Sequence, residues 1–118
     1  MSIYNDFSHT KLQPAYISYP ASYAVLADQL AANQRFATWY KHNTTNHKVS
    51  GYRTVSAPLL AGGITARQLA RLAKLADRYS FGAIRFEYDQ RLVLADVAQQ
   101  NLYPLWRGLS KLGLVIEA

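Results

Sequence analysis

Between two short apolar runs the chain places a polar knot, Glu87-Tyr88-Asp89-Gln90-Arg91, with Arg85 just ahead of it. Charged and amide side chains gathered where two strands meet either turn the chain in water or face a polar ligand. Guanidinium groups fork onto carboxylates, and a Gln amide can donate beside them. Glu87 and Asp89 stand two apart, on one side of a strand, and are the only close carboxylate pair. Such a pair can do acid–base work, but a hairpin edge is its more common home. His42 and His47 sit five apart in the polar stretch KHNTTNHKV. Zinc would need a further ligand, so the reading is of two solvated loop histidines. Lys48 and Arg53, close by, are candidates to help hold an anion. His9, His42 and His47 have no motif-placed Ser or Asp, and neither a GxSxG elbow nor a P-loop occurs.

Composition narrows the classes further. A chain of 118 residues, half of them apolar, can bury one modest core. It has no cysteine, which excludes disulfides, thiolate metal ligation and thiol catalysis on this polypeptide. No apolar run approaches the roughly 18 residues a membrane span needs, and the first twenty residues lack the basic start and apolar core of a signal peptide. A soluble, cytoplasmic protein without a membrane partner is expected. The formal charge of +6, from 13 Lys and Arg against 7 Asp and Glu, favours anionic partners without choosing among them. The cations are scattered, as on a solvated basic surface.

The elements that must position the knot follow from periodicity. Residues 1–50 read as an N-terminal arm with short helices: Ser22 could cap one carrying Leu26 and Leu30, and Asn33 a second carrying Phe36, Trp39 and Tyr40. These aromatics are expected to pack on the body, residues 51–118. There Val55, Ala57 and Leu59 alternate with Thr54, Ser56 and Pro58, a strand buried on one face. Thr65 and Gln68 fit a capping box, opening a helix with Leu69, Leu72, Ala73, Ala76 and Tyr79 inward, and Gly82 is placed to end it. Ala83 to Glu87 and Leu92 to Val97 read as a hairpin. A second helix follows from about Asn101, with Leu102, Leu105, Trp106, Leu109 and Leu112 inward. Leu114-Val115-Ile116 would start a last strand, and the chain looks cut inside it. The order, βαββα with the start of a last strand, is an α+β, ferredoxin-like split βαβ: an antiparallel sheet with two helices on one face.

These residues resemble a known family. HKVSGYR, the helix opening IT-A-R-Q with its LARLAKLADRY continuation, the hairpin IRFEYDQRLVLADV and the closing LGL are similar, in that order, to the nitrite/sulfite reductase ferredoxin-like half domain. The likeness runs from about Phe36 to Leu114. It implies a domain of an assimilatory sulfite or nitrite reductase, in which siroheme and a [4Fe-4S] cluster carry out a six-electron reduction. The cluster ligands, being cysteines, would lie elsewhere in the parent enzyme. The resemblance assigns siroheme contacts to Arg85, Gln90 and Arg91, the last standing where the family has Asn. It also implies partners: the other half domain, the siroheme and iron–sulfur domains, and an electron donor, either a ferredoxin or a flavoprotein. The isolated chain is expected to be inactive.

The alternative is a stand-alone ferredoxin-like binding module, either RNA-binding or self-associating. An RNA reader stacks bases on aromatics of its central strands. Phe86 and Tyr88 alternate here, but Tyr52 is the sole aromatic of the other strand, so nucleic acid is not expected. An excised half domain would also be left with an apolar sheet face and would tend to self-associate.

Overall fold

The computed structural model describes residues 19–59, 63–87 and 91–115. Two helices come first, α1 (Tyr19–Ala32) and α2 (Gln34–Asn43). Proline suits a first helical turn because its missing N–H would be unpaired there anyway. With Pro20 in that place α1 starts at Tyr19, and Ser22, expected as its cap, falls inside it. Asn33 caps α2 as the sequence suggests, its Oδ1 accepting from the Phe36 N–H at 3.0 Å.

Four strands follow: β1 (Thr44–Asn46), β2 (Tyr52–Pro58), β3 (Arg85–Glu87) and β4 (Arg91–Ala98). Helix α3 (Ala66–Tyr79) links β2 to β3, and α4 (Leu102–Lys111) follows β4 through a short 3-10 turn at Gln99–Asn101. The sheet order is β1-β2-β4-β3, and every neighbouring pair is antiparallel. Strands β2 and β3 therefore run the same way with β4 inserted between them, which is the split βαβ.

Strand β1 corrects the sequence reading, which leaves Thr44–Asn46 in a loop. Its Thr/Asn composition shows no apolar alternation, and pairing with β2 makes it a strand. It holds the free side of β2, where the last strand of a ferredoxin-like sheet would sit. Leu114 and Val115, expected to open that strand, are not in one, and residues 116–118 lie outside the described ones.

Helix α3 opens on the expected capping box. The Gln68 N–H donates to Thr65 Oγ1 at 3.0 Å, and the Thr65 N–H to Gln68 Oε1 at 2.9 Å. Gln68 Nε2 also donates to the Leu112 carbonyl at 2.8 Å, tying the start of α3 to the end of α4. The helix ends where Gly82, at φ 76°, returns its N–H to the Ala76 carbonyl. Its packed face is rotated from the expected one: Leu72 and Ala76 are buried and Leu75 and Tyr79 half-buried, while Leu69 and Ala73 are exposed. The cause is α4, which lies so close that a Cβ on Gly108 would stand 2.7 Å from Leu75 Cδ2.

Both helices, with α1 and α2, cover one face of the sheet. Leu72, Leu92, Leu94, Val97, Leu102, Leu105 and Leu109 share that core with Leu26, Phe36 and Trp39. Phe36 is fully buried, edge-on to Tyr103 at 5.2 Å between centroids and 5.5 Å from Trp106. The aromatics of the arm thus pack on the body as expected. Because they fill its core, Phe36→Ala should destabilise the chain by about 3–5 kcal/mol, measured as a lowered urea midpoint. A loss below about 1 kcal/mol would mean α2 is only loosely attached.

Candidate functional site

Residues directly opposite each other in an antiparallel pair share a face of the sheet. Leu92, opposite both Ala57 and Phe86, points to the helices. The register then places Pro58, Arg91 and Glu87 in one row on the other face, and Ser56, Val93 and Arg85 in the next. Among the described residues that face carries no helix. Arg85 and Arg91, predicted from the sequence as binding residues, thus lie on one surface, in the hairpin whose connection holds Gln90. Residues 88–90 lie outside the described ones, and with them Gln90, Tyr88 and Asp89. Arg85 Nε donates to Glu87 Oε2 at 3.3 Å, with both side chains open to solvent. Such an exposed pair adds little stability. Its effect is to orient the guanidinium, whose terminal nitrogens are the pair a carboxylate takes in a fork.

Further along β4 the ladder is interrupted. Leu94 pairs with Val55 and Val97 with Arg53, so Ala95 and Asp96 together face the single residue Thr54. This is a β-bulge, a device that re-aims a side chain. Thr54 Oγ1 donates to the Ala95 carbonyl at 3.1 Å, and Asp96 turns to His47. His47 Nε2 lies 2.7 Å from Asp96 Oδ1, while the Val49 N–H donates to His47 Nδ1 at 2.9 Å. Since Nδ1 accepts, the hydrogen bonds assign the neutral ring's proton to Nε2, which donates to Asp96. The pair clamps the β1–β2 connection onto β4.

The ring of His47 lies 5.6 Å from that of Tyr52, which stacks in turn on Phe81 at 6.4 Å. Phe81 is held at φ 54°, a region that non-glycine residues seldom adopt. Burial, and then the neighbouring Asp96 carboxylate, hold the Tyr52 phenol above its ordinary titration range.

His47 is therefore a half-buried, partnered histidine and not the solvated loop residue expected, because the bulge delivers a carboxylate to it. Its one sequence signal is its place in HKVSGYR beside a strand containing Asp96. His42 lies exposed in the last turn of α2, and among the described residues no group of three or more His, Cys, Asp or Glu side chains could hold a metal. Arg53 is not available as an anion holder. It points to the helix side, where Thr44 Oγ1 accepts from Nε at 3.1 Å and from Nη2 at 2.9 Å. Asn46 Oδ1 accepts from its Nη1 at 2.7 Å, and the guanidinium lies 4.5 Å from the Tyr40 ring centroid. Lys48 is exposed. Phe86, weighed as a base-stacking residue, sits on an edge strand, and its register partner Leu92 puts it on the helix-covered side.

Residues 46–112 match the nitrite/sulfite reductase ferredoxin-like half domain. The match covers more than half of the chain, and the chain belongs to that family. It begins within β1 and ends just past α4, taking in the whole β2–α3–β3–β4–α4 unit. No curated protein and no solved structure matches the chain. Among the described residues, no helix is long and apolar enough to cross a membrane.

Because the folded chain holds the Tyr52 proton more tightly than the unfolded chain does, this residue's contribution is complete below the ordinary phenol value of 10.0. It is lost as pH rises beyond that value. Tyr52→Phe should flatten the decline of chemical-denaturation stability above pH 10.0. An unchanged alkaline profile in the variant would contradict the assignment.

Proposed function

We propose that this chain forms part of the wall of a siroheme site in an assimilatory nitrite or sulfite reductase, with Arg85, Gln90 and Arg91 directed at the cofactor's carboxylates. The carrying observation is the register that sets Arg85 and Arg91 on the helix-free face of a sheet belonging to this family. The donor set suits the ligand. Siroheme bears eight carboxylates, and two guanidiniums on one face, with a Gln amide in their connecting loop, are the groups that bind carboxylates in forks and single bonds.

When bound, siroheme with its iron–sulfur cluster would pass electrons from the donor protein to the oxyanion. What these residues contribute is binding and orientation. Arg85, paired through Nε with Glu87, leaves its terminal nitrogens for a carboxylate. Arg91, opposite Glu87, brings a second charge to the neighbouring row of the same face. The chain's lack of cysteine assigns the cluster ligands, and hence turnover, to other segments of the parent enzyme. The other half domain and an electron-donor protein are the partners this reading requires.

An RNA-binding role is the weaker reading. The central strands β2 and β4 offer the helix-free face a single aromatic, Tyr52, and it is buried.

Arg85→Leu and Arg91→Leu, introduced into the native gene, should each lower the siroheme content of the purified reductase. With charge-assisted hydrogen bonds worth about 1.5–3 kcal/mol each, the affinity loss should be about 10- to 100-fold. Lys41→Leu, at an exposed position on α2, should change nothing. Full siroheme occupancy in the Arg85/Arg91 double variant would overturn the proposal.

A further inference from the structure

The outer surface of the helix layer carries six cations that the siroheme reading does not use. Along α3, Arg67, Arg71, Lys74 and Arg78 are exposed, at steps of four, three and four residues. That spacing aligns them in one row, on the side away from buried Leu72 and Ala76. The row is about 16 Å long. Helix α4, packed alongside through Gly108 and Leu75, adds exposed Arg107 and Lys111.

Little on this surface offsets the charge. Helix α4 contains no acid, and the one acid of α3, Asp77, leans to the turn after the helix, its Oδ1 2.7 Å from where a Cβ on Gly82 would stand. Among the described residues none of the six cations forms an ion pair; Arg78 lies 5.7 Å from the centroid of the Tyr79 ring. Like charges at these spacings repel one another and work against the helix. The fold bears that repulsion along the whole length of α3.

Beside the row, on the flank away from α4, runs an apolar strip that ends at exposed Asp77: Ala66, Ala70 and Ala73 are exposed, and Leu69 is 38% exposed. The combination separates two kinds of polyanion. Single-stranded nucleic acid is held by bases stacking on several exposed aromatics; α3 and α4 expose none, and Phe86, exposed on the helix side, stands apart from the row on edge strand β3. Duplex nucleic acid needs only the phosphate-facing charge and has no use for an apolar strip. A protein surface uses both, with arginines beside a desolvated apolar patch. We propose that the exposed face of α3 is a docking site for an acidic protein, one that sets a row of carboxylates against Arg67, Arg71, Lys74 and Arg78 and an apolar edge against Leu69, Ala70 and Ala73. This surface lies on the opposite side of the sheet from Arg85 and Arg91, and the inference stands independently of the siroheme reading.

The test uses the full chain and a synthetic amphipathic helical peptide with glutamates along one face and leucines along the adjoining one. Binding is read by fluorescence anisotropy at low salt, against a DNA duplex of equal net charge. Arg71→Glu/Lys74→Glu should weaken peptide binding about tenfold, whereas Lys41→Glu/Lys48→Glu, the same change in net charge elsewhere, should weaken it less than about twofold. Ala70→Arg adds a cation but obstructs the strip, and it should also weaken the peptide. Circular dichroism would establish that each variant is folded. Equal losses from the two double variants would overturn the proposal. So would tighter peptide binding by Ala70→Arg, a preference for the duplex, or no peptide binding at all.

Discussion

The structure depends on one constraint: an antiparallel sheet whose helices, among the described residues, all lie on one side. Successive residues of a strand point to opposite faces, so a slip of one residue would move every side chain to the wrong one. Leu92 and Leu94 pin β4, which is paired on both edges, and thereby send Arg91 and Val93 to the helix-free face. By simple alternation Asp96 would follow Leu92 and Leu94 into the core. The bulge at Ala95–Asp96 prevents this by handing the core position to Val97. The released carboxylate meets His47 and locks the loop between β1 and β2. Apolar packing thus decides where the charged groups of β4 stand, and the site inherits its geometry from the core.

Much of this was legible in the residues. The capping box at Thr65 and Gln68, the alternation through Val55 and Ala57, and the leucines of α4 are local signals, and each element formed where its signal stood. What failed to show depends on partners distant in the chain. Thr44–Asn46 has no strand pattern and becomes a strand through β2. The rotation of α3 follows from the close approach allowed by Gly108, and the use of Arg53 from Thr44, Asn46 and Tyr40. Of the candidate site, the hairpin that carries Arg85 and Arg91 was legible, because its polar residues stand between two apolar runs. The His47–Asp96 pair was not, because a bulge leaves no mark on the local sequence.

The two faces of the molecule carry different chemistry. On the helix-free side, cations are few, set by register, and accompanied by Glu87, an arrangement suited to orienting one rigid ligand with many carboxylates. On the helix side the cations form an extended row with an apolar border, suited to a broad surface. The net charge of +6, which by itself indicates only anionic partners, is divided by the fold between two separate surfaces.

The proposed place of this sheet in a siroheme reductase is tested by the mass and visible spectrum of the native protein, captured from its source cells with an antibody raised against this chain. A polypeptide larger than this chain, with the Soret-type and longer-wavelength bands of siroheme, is expected. A colourless protein of this chain's own mass would contradict it.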